Sequence, residues 1–213
     1  MRDTVKTTST ACLLVFLLAG LSLGQNRLQS GPSPAVVGPA YDVSIGYANL
    51  TMAIPSAGHV NLSGVDASGT VALSPRWGAT IDSSYLRSSD VLSTTHQGYM
   101  LSLHTGPVFY PVEHGNTRLF VRALAGAALV DGAVPLKSPE YYCGWLVRPT
   151  YAFGGGIEHS VSGQFVVRIN ADYVRTSFYG ATGAVQPQNN LRVAASVVFH
   201  LRQHRHQSRA RLR

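Results

Sequence analysis

The stretch Gln164-Phe-Val-Val-Arg-Ile-Asn-Ala-Asp-Tyr-Val174 decides the fold. Apolar and polar side chains alternate along it, and Leu191–Leu201 repeats the same rhythm near the end of the chain. A period of two over about ten residues is typical of a strand with one apolar and one polar face. In a soluble barrel the apolar face would point inward. In an outer-membrane barrel it faces lipid and the polar face lines the interior.

The first residues have the three-part organisation of a secretory signal peptide. Arg2 and Lys6 precede an apolar run, and Ser22-Leu-Gly24 offers small residues before Gln25. The run is too short to cross a bilayer as a helix. We therefore predict a signal peptide over 1–24, cleaved near Gly24, followed by a Pro-, Ser- and Gly-rich periplasmic lead-in over 25–40.

The charge of the chain is concentrated at its ends. The formal net charge is +7, but residues 25–201 contain ten basic and nine acidic residues, and five arginines lie within 202–213. We expect 202–213 to be a basic, disordered tail. After cleavage only Cys143 remains, so no internal disulfide can form.

Eight candidate strands fill residues 41–201. They are 41–52, 60–73, 76–87, 97–110, 117–131, 145–159, 164–178 and 190–201. The links alternate between short (Ser74-Pro75, Val112–Asn116, Ser160–Gly163) and longer (Ala53–His59, Ser88–His96, Gly132–Gly144, Gly180–Asn189). This alternation is typical of an outer-membrane barrel, which has short periplasmic turns and longer outer loops. The predicted fold is an all-β, eight-stranded antiparallel up-and-down transmembrane β-barrel.

Aromatic residues fall near the ends of the predicted strands. One set is predicted near the periplasmic ends (Tyr41, Trp77, Phe109, Tyr110, Phe120, Phe165, Phe199) and a second near the external ends (Tyr85, Tyr99, Trp145, Phe178, Tyr179). Two such girdles match the membrane interfaces.

The residues resemble the outer-membrane protein A-like family of small transmembrane barrels. The resemblance rests on Phe153-Gly-Gly-Gly-Ile-Glu-His159, Phe165–Tyr173 and Val193-Ala-Ala-Ser-Val-Val-Phe199, and it extends over about 41–201. It implies insertion into outer-membrane lipid by the barrel-assembly machinery, which reads an aromatic residue of the last strand. In this chain the tail continues beyond that aromatic, Phe199, and is too short for a peptidoglycan-binding domain.

Charged residues on the polar faces predict a compensated network inside the barrel. Its members are Asp82, Arg122, Glu158, Arg168, Asp172 and Arg192. An eight-stranded barrel is just wide enough for its own side chains, so we interpret the network as a static polar core rather than a gate. A Ser160–Ser162 connection would pair Glu158 with Gln164 and Gly154 with Arg168, so that the glycines clear space for Arg168.

Other motifs predict no catalysis and no cofactor or metal site. The Gly154–Gly156 run lacks the strand-to-helix setting of a phosphate loop, and the dispersed histidines lack metal-ligand spacing. His159-Ser160 hints at nucleophilic catalysis but lies at a periplasmic turn. Nucleic acid is not an expected partner of an exported protein.

These features predict a non-enzymatic bacterial outer-membrane protein with a role in envelope integrity or surface adhesion. Val134–Tyr142 is the best candidate surface for a ligand on the outer loops. One alternative is a soluble, lipocalin-like barrel that encloses an apolar ligand, which requires the odd-numbered faces to point inward. A second alternative is an outer-membrane lipid-modifying enzyme that uses Ser160.

Overall fold

The computed structural model of the chain describes residues 41–93, 95–135, 141–162, 164–180 and 184–201, with the side chains of 132–143 excepted. The predicted signal peptide, lead-in and tail, and the side chains of the candidate surface Val134–Tyr142, lie outside these residues. Eight strands fill the described part: β1 (Tyr41–Ile54), β2 (Gly58–Ala72), β3 (Trp77–Ser88), β4 (Gly98–His114), β5 (Thr117–Pro135), β6 (Tyr141–Ser160), β7 (Phe165–Tyr179) and β8 (Val185–Leu201).

The strands form one closed sheet in chain order, and β8 pairs with β1 to close it. Every neighbouring pair is antiparallel, which confirms the up-and-down barrel. Followed once around the barrel, the register leads from Tyr41 back to Thr51, a displacement of ten residues along β1. Such a stagger tilts the strands by about 35–45° from the barrel axis. Among the described residues, no helix is long and apolar enough to span a membrane.

Odd-numbered and even-numbered residues lie on opposite sides of the wall, except after the irregularity between Phe109 and Val112 in β4, where Val112 faces outward opposite Leu119. On the outside, Val167, Ile169 and Val197 are 42%, 53% and 39% exposed. On the inside, Arg168 and Asp172 are buried. The soluble alternative is therefore wrong, because it required the odd-numbered faces to point inward.

Aromatic pairs mark both ends of the outer wall. At the end where the chain enters β1 and leaves β8, here called the terminal end, Trp77 lies 4.6 Å from Phe109, measured between ring centroids. Phe165 and Phe199 form a second pair there, at 5.3 Å. Tyr85 and Tyr99 stack at the opposite, far end. The prediction was wrong for Phe120 and Phe178, which are even-numbered and buried inside the barrel.

The links at the far end are shorter than predicted. Strand pairing extends beyond the apolar belt, so β1 and β2 meet at the turn 55–57 and β7 and β8 at 180–184. Strands β5 and β6 continue to the pair Pro135–Tyr141. Only the link 89–97 between β3 and β4 keeps the length that the sequence predicted. Backbone hydrogen bonds can continue a hairpin beyond its last apolar residue. Strand ends predicted from apolar alternation therefore came too early.

Candidate functional site

The structure places all six predicted charged side chains inside the barrel. None is more than 4% exposed: Asp82, Arg122, Glu158, Arg168, Asp172 and Arg192. They belong to two groups, one at mid-height and one near the terminal end. We call these the central cluster (Asp66, Asp82, Arg122, Asp172, Arg192) and the lower cluster (Asp42, Arg118, Glu158, Arg168, His200).

The central cluster contains a closed ring of alternating charges. Arg122 donates to Asp172 through Nε at 3.0 Å and Nη2 at 2.7 Å, and to Asp82 through Nη1 at 3.1 Å. Arg192 donates to the same two carboxylates, with Nη2 2.9 Å from Asp172 and Nη1 2.7 Å from Asp82. Each buried charge thus has two partners of opposite sign, which compensates the large cost of desolvation.

Two more inward-facing residues contact this ring. Asp66 Oδ2 lies 3.5 Å from Arg192 Nη1. His104 Nε2 lies 2.7 Å from Thr150 Oγ1, and its Nδ1 is 3.9 Å from Asp82 Oδ1 without a hydrogen-bond partner in the described part of the chain. The predicted network omitted both residues, although each stands on the predicted polar face of its strand.

The lower cluster is organised around Glu158. Arg168 donates to Oε1 through Nε at 2.7 Å, and Arg118 Nε contacts Oε2. Arg118 also lies 3.3 Å from Asp42 Oδ2, and His200 Nδ1 contacts the other oxygen of Asp42. Arg118, Asp42 and His200 were missing from the predicted network because the sequence does not show that their strand ends converge on Glu158.

The predicted register of the β6–β7 hairpin was wrong by four residues. Glu158 lies opposite Arg168, not Gln164, and Gly154 lies opposite Asp172, not Arg168. The turn closes after Ser160, where the backbone N–H groups of Val161 and Ser162 both donate to the Phe165 carbonyl. The prediction of which residues point inward was correct, because each inward-pointing residue of β6 still lies opposite an inward-pointing residue of β7.

Gly154 is required at its position. A Cβ there would lie 2.2 Å from the carbonyl oxygen of Ala171 and 2.4 Å from Asp172 Oδ1. The missing side chain therefore clears space for Asp172, the carboxylate shared by both arginines of the ring, and not for Arg168 as predicted.

The far-end half of the interior is largely apolar, and the buried polar side chains Thr176, Gln188 and Asn190 there are hydrogen-bonded to one another. Leu50, Leu86, Met100 and Phe178 are buried there together, and Val91 enters from the link 89–97. A small cavity of about 50 Å³ remains there, lined by Phe178, Val91 and the apolar side chains Met52, Ile54, Val60 and Leu62. The lumen is thus filled by ion pairs at mid-height and near the terminal end, and mainly by apolar side chains toward the far end.

His159 and Ser160, the pair that hinted at nucleophilic catalysis, lie at the terminal end of β6. His159 lies at the outer surface, with Nδ1 2.9 Å from Thr117 Oγ1. Within the described ranges, no group of three or more His, Cys, Asp or Glu side chains could hold a metal ion.

The closed wall of eight strands, apolar outside and charged inside, can be compared with known structures. Neisserial surface protein A superposes with a TM-score of 0.60 at 10% identity, covering 75% of this chain and 97% of that one. The chain has the fold of the eight-stranded outer-membrane barrels. The attachment invasion locus protein of Yersinia pestis, solved with the heparin analogue sucrose octasulfate, superposes on this barrel with a TM-score of 0.51 at 18% identity, covering 76% of this chain and 99% of that one. No protein-family model and no curated protein matches the barrel's sequence. The fold that the resemblance implied, an eight-stranded outer-membrane barrel, is thus confirmed.

Proposed function

We propose that the protein is a non-enzymatic outer-membrane barrel that supports the envelope and presents its β5–β6 hairpin at the cell surface. One observation carries the proposal: a wall with exposed aliphatic side chains encloses a buried ring of ion pairs. Exposed aliphatic side chains are stable against hydrocarbon, and compensated charges are stable in a closed interior.

The orientation follows from the even number of strands, which brings Tyr41 and Leu201 to the same end. For an exported chain inserted from the periplasm, the terminal end is periplasmic and the far end is external. Membrane fractionation tests the location. Recovery in the detergent-soluble outer-membrane fraction, with heat-modifiable migration on a gel and a mature N-terminus at Gln25, is expected. Recovery in the aqueous periplasmic fraction would refute it.

A filled lumen favours a structural role over a pore. The ion pairs of the central cluster and the apolar side chains of the far-end half leave little room for water or ions. Purified protein in a planar bilayer should therefore give no steady conductance. A reproducible ohmic current that depends on Arg192 would instead support a channel.

The external hairpin is the part of the barrel best placed to bind a surface ligand. The strands β5 and β6 pair as far as Pro135 and Tyr141, beyond the level of Tyr99 in the far-end girdle. A variant shortened by the pairs between Asp131 and Trp145 should keep its heat-modifiable fold and lose adhesion of expressing cells to a host-cell layer. Sucrose octasulfate, bound by the Yersinia pestis neighbour, is a suitable first soluble competitor.

The enzymatic alternative is tested separately. Lipid composition of outer membranes should be identical with the native chain and with Ser160→Ala. A lipid modification that depends on Ser160 would replace the non-enzymatic proposal.

A further inference from the structure

A groove crosses the outer wall over strands β4 to β7. Its floor is made of small residues, and larger aromatic side chains rise beside it: Thr105, Pro107, Ala123, Ala125, Tyr151 and Phe153. The groove has a volume of about 510 Å³ and is open toward the lipid. All of these side chains belong to the paired strands β4, β5 and β6 of the closed wall.

The guanidinium of Arg175 lies at the upper end of this groove, the end nearest the far end of the barrel. Arg175 lines the groove and is exposed on the outer face, between Tyr151 on β6 and Asn189 on β8 in the register. Within the described residues, no side chain forms a hydrogen bond or ion pair with its guanidinium. The acidic residues described on β6 to β8, Glu158 and Asp172, are both buried inside the barrel.

The side-chain amide of Asn189 is a second hydrogen-bond donor beside Arg175. The hydroxyl of Tyr173, which also lines the groove, donates to Asn189 Oδ1. This bond occupies the acceptor of the Asn189 side chain and leaves its amide N–H groups as donors. The upper end of the groove therefore presents donors and positive charge, which is the chemistry that binds a phosphate.

The height of Arg175 matches a membrane interface. Phe165 begins β7 in the terminal-end girdle, and Arg175 follows ten residues later. At about 2.5 Å of depth per residue for a tilted strand, this separation is about 25 Å, the height of the apolar band of such barrels. The groove thus runs from the middle of the apolar band to the external interface.

We propose that this groove binds an acyl chain of a phosphorylated glycolipid of the external leaflet, with the lipid phosphate held by Arg175 and Asn189. The proposal rests on the orientation given under the proposed function, which places the far end outside. A lipid chain fills the space over the small residues, and the phosphate supplies the counter-charge that the wall does not provide.

The test compares matched variants of the full chain folded in phosphatidylcholine nanodiscs that contain diphosphoryl lipid A. Arg175→Ala removes the cation, and Ala125→Phe fills the groove. Arg87→Ala removes another exposed far-end arginine, outside the groove, and Ala67→Phe adds a ring to the wall at β2. Native mass spectrometry counts the lipid A molecules retained as the nanodisc is stripped by detergent.

Retention should fall about tenfold with Arg175→Ala, the loss of a charge-assisted contact, and should also fall with Ala125→Phe. Arg87→Ala and Ala67→Phe should retain lipid A like the native chain. Equal retention by Arg175→Ala and Arg87→Ala would overturn the proposal. Equal retention of phosphatidylglycerol would overturn the assignment to a glycolipid, and equal retention of dephosphorylated lipid A would overturn the role of the phosphate.

The same samples separate this proposal from the proposed function. If the native chain inserts and shows heat-modifiable migration but retains lipid A no better than Arg175→Ala, only the lipid site fails. If the native chain does not insert into the nanodisc, the membrane assignment itself fails.

Discussion

Substituting Glu158 by glutamine should destabilise the barrel by about 3–5 kcal/mol, the cost of breaking a buried ion pair by removing one partner. Glu158 is 1% exposed, and N–H groups of Arg118 and Arg168 converge on its two oxygens. Glutamine offers one oxygen in place of two, so one arginine would face an amide N–H₂ group. The lost charge-assisted hydrogen bond costs about 1.5–3 kcal/mol, and the uncompensated charge left on that buried arginine supplies the rest.

The assay is urea unfolding of the protein folded into lipid vesicles, followed by the fluorescence of Trp77 and Trp145. Glu113→Gln is the matched control, because Glu113 lies at the terminal end of β4 and is exposed. The control should change the free energy of unfolding by less than about 0.5 kcal/mol.

A second substitution tests whether the loss of stability comes from an unpaired buried arginine. Arg168 is buried, and Glu158 is the carboxylate that it contacts. Arg168→Met in the Glu158→Gln background removes the unpaired cation, so the double variant should be more stable than Glu158→Gln alone. Arg118 keeps its contact with Asp42 in both variants. Additive destabilisation, or equal effects of Glu158→Gln and Glu113→Gln, would refute the network.

Two further predictions concern packing and orientation. Gly154→Val should abolish the heat-modifiable band, because its Cβ would lie 2.2 Å from a backbone carbonyl oxygen. A Cβ at Gly69 meets no atom within 4 Å, so Gly69→Val should keep the band. Val193→Arg, on the outer face at mid-wall, should cost about 2–4 kcal/mol in vesicle unfolding experiments, and Leu201→Arg, at the terminal end, only about 0–1 kcal/mol. Equal costs at the two positions would contradict the assigned membrane position.

The sequence was sufficient to predict which side each strand presents to lipid. Alternation fixes parity locally, so Arg122 could be assigned to the interior even in β5, where both faces are apolar. The six predicted charges are all buried for the same reason. Which face of the wall each of these side chains occupies depends on its own strand alone, so the partner strand need not be known.

The partners of those charges were not predictable in the same way. The pairing of Glu158 with Arg168 depends on where the turn after Ser160 closes. The contacts of Asp42 with Arg118 and His200 join three strands whose residues are far apart in sequence. Such contacts depend on the stagger of the closed barrel, which no single segment specifies.

The seam between β1 and β8 shows how that stagger is specified. Sliding β8 by two residues would keep every aliphatic side chain on the outer face, so the apolar pattern accepts several registers. The polar contacts across the seam can form at only one register. Asp42 contacts His200 inside the barrel at the terminal end of the seam, and the Ala53 N–H donates to Asn190 Oδ1 at 3.0 Å near its far end. A slip of two residues displaces these partners by about 7 Å, beyond the reach of a hydrogen bond. Hydrophobicity thus determines which side of the wall faces lipid, and the interior polar contacts determine the register at which the barrel closes.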